Sequence, residues 1–402
     1  MELMTRKLWI MLLCGMLIVL ITNGLRMTFG VFLRPISLDL DIGRQTFGLV
    51  IALQILLFGL FQPIAGLLAD RYGSVKIIVI GAMFYAVGLW LTSVSASAFD
   101  LYISLGLLTG LGLSGAAQVI VLGAVGKVVP DDRRGLVFGI VIAAGSLGFF
   151  LFVPVVQDFL LDYFGWRETL VLMAILVAAT PLIAIGLRAP PLGNASGHRQ
   201  SVREAFGEAR DHTGYLLLTA GFFVCGFHVT FIGTHLPAYF ADNAVDPTYA
   251  AYAFSVIGLC NIIGAFLFGA LADRFQKKSV LTLIYFLRAV LMTAMFFVPI
   301  NEVTAIIFGA AMGLLWLSTV PLTSSIVAQV FGTRHFSMLF GVVFMSHQVG
   351  GFCGAWLGGY IYDATGSYDL MWMVSIVLGL AAAALHWPIS DKPLARLNPS
   401  AA

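Results

Sequence analysis

Apolar residues come in runs of about 20 or more, separated by short polar breaks, from Leu8 almost to the end of the chain. A run of roughly 20 apolar residues is the length an α-helix needs to cross about 30 Å of hydrocarbon, and a helix bonds its own backbone groups where no water can. Twelve such runs are read: 8–33, 46–68, 76–96, 101–126, 136–157 and 167–188, then 213–240, 248–271, 278–299, 302–328, 336–361 and 368–388. Composition agrees, with 60% hydrophobic and 10% charged residues against roughly a quarter charged in soluble domains. The first run follows "MELMTRK" but is too long for a secretory signal, holds Arg26 and lacks a small-residue cleavage site, so it is read as a retained helix. The sequence therefore predicts an all-α integral membrane protein.

The 22 Lys and Arg residues set the orientation. With the N-terminus inside, 17 lie on the cytoplasmic side, three outside (Arg34, Arg44, Arg167) and two in the membrane (Arg26, Arg288). That asymmetry predicts cytoplasmic termini in a bacterial inner (plasma) membrane. The net charge of +2 then reflects topology, and nucleic acid is not expected as a partner. Cys14, Cys225, Cys260 and Cys353 all fall inside predicted helices with no Cys-x-x-Cys pair, so neither a disulfide framework nor a metal site is expected. Glycine pairs such as "GLLTG" at 106–110 suit close helix packing in lipid.

The chain repeats itself. An offset of 202 lays Gly24, Arg26, Thr28, Phe29 and Pro35 over Gly226, His228, Thr230, Phe231 and Pro237, and an offset of 203 lays "GLLADRYGSVK" (66–76) over "GALADRFQKKS" (269–279). A nearly constant offset over several helices marks a duplicated unit. The expected organisation is two pseudo-symmetric six-helix bundles, 1–188 and 213–390, with a cytoplasmic linker at 189–212 and a tail at 391–402. Parallel repeats of this kind put a substrate site near the midplane between them. With the "GLLADRYGSVK" segment and its echo, the chain resembles the major facilitator superfamily (MFS) over its whole length. "WLSTVPLTSS" (316–325) and "SHQVGGFCGAWLGGYIYDATGSYD" (346–369) are similar to its monocarboxylate and oxalate porter-like branch. The resemblance implies a cytoplasmic gate at Asp70, Arg71, Arg134, Asp273 and Arg274, with Arg133 and Arg334 as further partners of Asp70. It also implies a central cavity lined by helices 1, 4, 7 and 10 and flanked by helices 2, 5, 8 and 11.

All 20 Asp and Glu residues lie in loops or at helix ends, so Arg26 and Arg288 have no obvious carboxylate at depth. An arginine at the bilayer centre costs about 2.5–3.5 kcal/mol on insertion scales, and something must compensate it. A guanidinium stays charged and offers a planar fork matching a carboxylate, so the simplest compensator is an anionic substrate. Arg26, on the cavity-lining first helix, is the leading candidate. Arg288, on helix 9, is read either as a cavity residue or as a strut binding carbonyls. His228 matches Arg26 in the repeat and is expected across the same cavity. His347 is a second candidate for substrate contact, and these two histidines are the candidates for carrying a proton. Gln118 and Asn261 are candidate neutral ligands and Trp316 a cavity wall. For Gln118 and Asn261, interhelical hydrogen bonds are the plain alternative.

The expected function is alternating-access transport of a small organic anion, most simply a monocarboxylate, with protons as a candidate co-substrate. Anion exchange of the oxalate/formate kind is the alternative. The acid-then-arginine pair of mammalian-type monocarboxylate porters is replaced here by Asn261 and Ala265 on helix 8. Multidrug export is weaker still, since Gly106 stands where that class carries an arginine. Lacking a phosphate-binding loop, a His-Glu-x-x-His pattern or a nucleophile motif, the chain is not expected to be an enzyme, to need a cofactor or to work as other than a monomer surrounded by lipid.

Overall fold

The computed structural model describes residues 6–116, 118–126, 128, 134–188, 202–332 and 336–394, and no β-strand occurs among them. Twelve long helical rods carry the chain back and forth. They are α1 (6–39), α2 (Arg44–Tyr72), α3 (Ser74–Ser93), α4 (98–126), α5 (134–161), α6 (162–187), α7 (Thr213–Asp242), α8 (Pro247–Arg274), α9 (Lys277–Phe297), α10 (302–331), α11 (Phe336–Thr365) and α12 (Asp369–His386). A short amphipathic helix, Val202–Asp211, precedes α7.

Three rods depart from the simple sequence reading, each for a local reason. α1 runs on to Asp39 but tightens into a 3-10 stretch at Thr28–Phe32. Pro35 cannot donate to the Val31 carbonyl, which loosens the α ladder one turn upstream. α5 and α6 follow each other without a loop and turn at Gly165, whose φ of 77° suits glycine. α10 is not one helix: Glu302–Leu315 stops, three residues are irregular, and Thr319–Phe331 begins. Pro321 explains the break, because its ring lacks the N–H and crowds the carbonyl four residues back, that of Leu317.

Caps fix the helix starts. Asn301 and Thr304 form a reciprocal capping box on α10, and Asp246 accepts from Thr248 N (2.9 Å) ahead of Pro247 on α8. At α7 the acceptor is a ring nitrogen: His212 Nδ1 takes the Tyr215 N–H at 3.1 Å. Burial pushes the His212 pKa below its ordinary value. A base whose folded pKa is lowered contributes its stability above the unfolded value and loses it as pH falls through the folded one. Amide exchange in the first turn of α7 is therefore expected to quicken on acidification below about pH 6 and to become pH-insensitive in His212→Asn, beyond the intrinsic rate.

Within the first six helices α1 packs on α5, and α3 on α4 and α6. Within the last six α7 packs on α11, α8 on α10, and α9 on α12. Two pairs join the sets, α2 with α11 and α5 with α8. Glycines allow these contacts: a Cβ on Gly226 would strike the His347 carbonyl of α11, and one on Gly48 that of Ala355. The α2–α11 contact continues through Gly59 and Gln348, but ends there. Gly66 and Gly341, each seven residues further toward the chain termini on the same helix faces, meet nothing within 4 Å. The two sets are thus clamped at the end remote from the termini and splayed at the end that holds them.

Candidate functional site

Arg26 sits in the last turn of the α-helical part of α1, where the carbonyl-rich helix end offers partial negative charge. Its guanidinium carbon lies 5.7 Å from the centre of the Phe58 ring, on α2 beside the last α2–α11 contact. Among the described residues it makes no hydrogen bond and no ion pair. Its Nε is sealed from solvent without a partner, while the residue as a whole is half-buried. A cation with unused donors therefore stands at mid-helix, level with the point where the two sets begin to part.

Arg288 is placed differently. It is fully buried, and its Nε and Nη2 donate to the Leu315 carbonyl at 3.2 and 2.6 Å; Nη2 also donates to the Trp316 carbonyl. Nη1 approaches Cys225 Sγ at 3.5 Å. These carbonyls close the first part of α10 and have no helical partners, so the guanidinium caps a broken helix. Of the two sequence readings, the geometry is that of the strut. Asn261 serves the same break from α8, its Oδ1 accepting from Leu317 N (2.9 Å) and its Nδ2 donating to Ser146 on α5 (2.9 Å). Trp316 is buried at the break, its ring 6.5 Å from Phe149 of α5. Arg288, Asn261 and Trp316 are thus gathered round one discontinuity, apart from Arg26.

The histidines divide too. His228 has 0% exposure and bonds through Nε2 to the Ser375 carbonyl of α12 at 2.9 Å, with Gly379 and Ala289 nearby. It faces the back of α7 rather than a cavity shared with Arg26, contrary to the expectation from the repeat. An imidazole is short and takes the nearest free carbonyl; matching register does not guarantee a matching partner. His347 sits where α11 nears α2. Its Nδ1 pairs with Gln348 Oε1 (3.0 Å), its ring stacks on Phe344 and lies 5.0 Å from Phe222, and its Nε2 has no partner. Gln118 accepts from Asn23 Nδ2 at 3.0 Å, tying α4 to α1.

At the remote end is a clamp that the sequence reading did not assign. Arg44, opening α2, grips Asp242 at the end of α7 with Nη1 and Nη2 at 2.5 and 2.8 Å, donates to Tyr368 Oη at 3.1 Å, and lies 3.8 Å over the Tyr362 ring. The amides of Arg44 and Gln45 donate to the Asp363 carboxylate of α11 at 3.0 and 2.8 Å. Gly43, at the N-cap position, has no side chain to do this. The signal was a helix start with no capping residue of its own. Tyr368 meets His235 Nδ1 at 3.1 Å, and His235 Nε2 meets the Ala355 carbonyl at 2.7 Å. Of the gate residues implied at the other end, Arg274 is exposed; the side chains of Asp70, Arg71, Arg134 and Asp273 lie outside the described residues, as do Arg133 and Arg334.

The family model described as "Major Facilitator Superfamily" matches residues 12–244 and 218–402. The chain belongs to the major facilitator superfamily. As a member of that superfamily it is a multi-pass membrane transporter and not an enzyme. It is 27% identical to the uncharacterized MFS-type transporter YcxA of Bacillus subtilis, over 97% of each chain. It is 26% identical to monocarboxylate transporter 13 of Rattus norvegicus, over 93% of this chain and 87% of that one. The crystal structure of a D-xylose-proton symporter superposes with a TM-score of 0.71 at 14% identity, covering 96% of this chain and 99% of that one, a likeness of fold.

Proposed function

We propose that this transporter carries a small organic anion, most simply a monocarboxylate, by alternating access between its two six-helix sets. The observation that carries the reading is the lone Arg26 guanidinium, with unused donors and no acid, at the edge of the splayed cleft. A carboxylate answers both its charge and its fork geometry. The 26% identical relatives named monocarboxylate transporters support the same class. The lysine and arginine asymmetry supports termini in the cytoplasm of a bacterial cell, so that the splayed end opens inward. Opening outward then requires Arg44 to leave Asp242 and the Gly66 and Gly341 faces to meet.

His347 is the better candidate for a proton carrier, since its Nε2 is free and its neighbour Gln348 donates to the Ile55 carbonyl of α2 at 3.3 Å. Uptake of labelled acetate and pyruvate into proteoliposomes separates the two couplings. Symport predicts accumulation driven by an inward proton gradient alone, and its loss in His347→Ala with downhill counterflow retained. Exchange predicts uptake only into vesicles preloaded with anion. Gradient-driven uptake that survives in His347→Ala would remove this histidine from the mechanism.

A further inference from the structure

The repeat pairs more than Arg26 with His228. At the 203 offset that aligns the α2–α3 and α8–α9 segments, Tyr85 of α3 falls on Arg288 of α9. Each set of six helices thus has two corresponding positions, one on its first helix and one on its third. In the last six helices both are served: Arg288 by the Leu315 and Trp316 carbonyls, His228 Nε2 by Ser375. In the first six neither is. Tyr85 has 0% exposure and its Oη has no partner, and the Arg26 Nε beside it has none either. The two residues are each other's electrostatic neighbours, and no further titratable group acts appreciably on either. Two buried donors left open side by side are rare in a settled core, where polar groups find acceptors. One acceptor oxygen placed between them would satisfy both.

We infer that Tyr85 is the second hydrogen-bond donor of the anion site, its phenol acting with the Arg26 guanidinium on the substrate's anionic head. The inference rests on Arg26 being the anion-binding residue. It makes the site lopsided: the first six helices hold the charge, and the last six supply the broken helix and the moving wall. Tyr85 is a binding residue here, so its removal weakens substrate affinity more than turnover.

The test is concentration-dependent uptake of labelled acetate and pyruvate by the purified full chain in proteoliposomes, for wild type, Tyr85→Phe and Arg26→Gln, with unfolding midpoints in detergent alongside. The expected result is an apparent KM raised about fivefold or more in Tyr85→Phe, kcat within about twofold, and a midpoint equal to or above wild type, because an unsatisfied hydroxyl has gone. An unchanged KM with a raised midpoint, while Arg26→Gln is dead, would overturn the assignment of Tyr85 and leave that of Arg26 standing. A lowered midpoint with KM unchanged would make Tyr85 a packing residue and overturn it equally. If Arg26→Gln carried the probes as wild type does, or wild type carried neither, the parent reading would fall and this one with it.

Discussion

Arg26→Gln is expected to cut carboxylate uptake at subsaturating substrate by at least about 30-fold, because truncating one partner of a desolvated charge pair costs about 2–5 kcal/mol. The folded protein should not suffer. Arg26 has no hydrogen bond among the described residues, and its replacement removes a charge that the empty protein must hold against desolvation. An unfolding midpoint at or above wild type together with lost uptake would place the residue in substrate binding. A protein that still takes up acetate and pyruvate at the wild-type rate would end the anion-site reading.

The other buried arginine should behave in the opposite manner. Arg288→Met leaves the carbonyls that close the first part of α10 without donors in a sealed interior. An unsatisfied buried acceptor costs about 1–3 kcal/mol, and with two of them the unfolding midpoint should fall by roughly 5–10 °C. Whatever protein survives purification should still bind substrate, with an unchanged ligand-induced midpoint shift. Loss of that shift at an unaltered midpoint would move Arg288 into the site. The pair makes a sharp comparison: two intramembrane arginines, one dispensable for folding and one not.

The sequence carried the architecture because its signals are periodic. Apolar runs set the crossings, and a constant offset exposed the duplication. It also carried Arg26, since an unpaired charge in hydrocarbon is visible in one dimension. Orientation about a helix axis was less accessible. His228 occupies the register of Arg26, yet the Ser375 carbonyl is the acceptor within its reach. The break in α10 was written in Pro321, but the surrounding apolar residues make the run look continuous. The cluster of Arg288, Asn261 and Trp316 depends on that break and could not be assembled without it. The Arg44, Asp242 and Asp363 clamp joins residues some 200 to 320 positions apart in chain order, and no local pattern announces such pairs.

That Asp363 completes the opening turn of a helix belonging to the opposite lobe bears on the resting preference of an empty carrier. Parting the lobes there strips two amides of their carboxylate, so that turn must either hydrate or fray before extracellular solute can enter. Conformational bias is then written into the rim, through a borrowed cap, and the centre is left free to hold its cargo loosely enough to let it go.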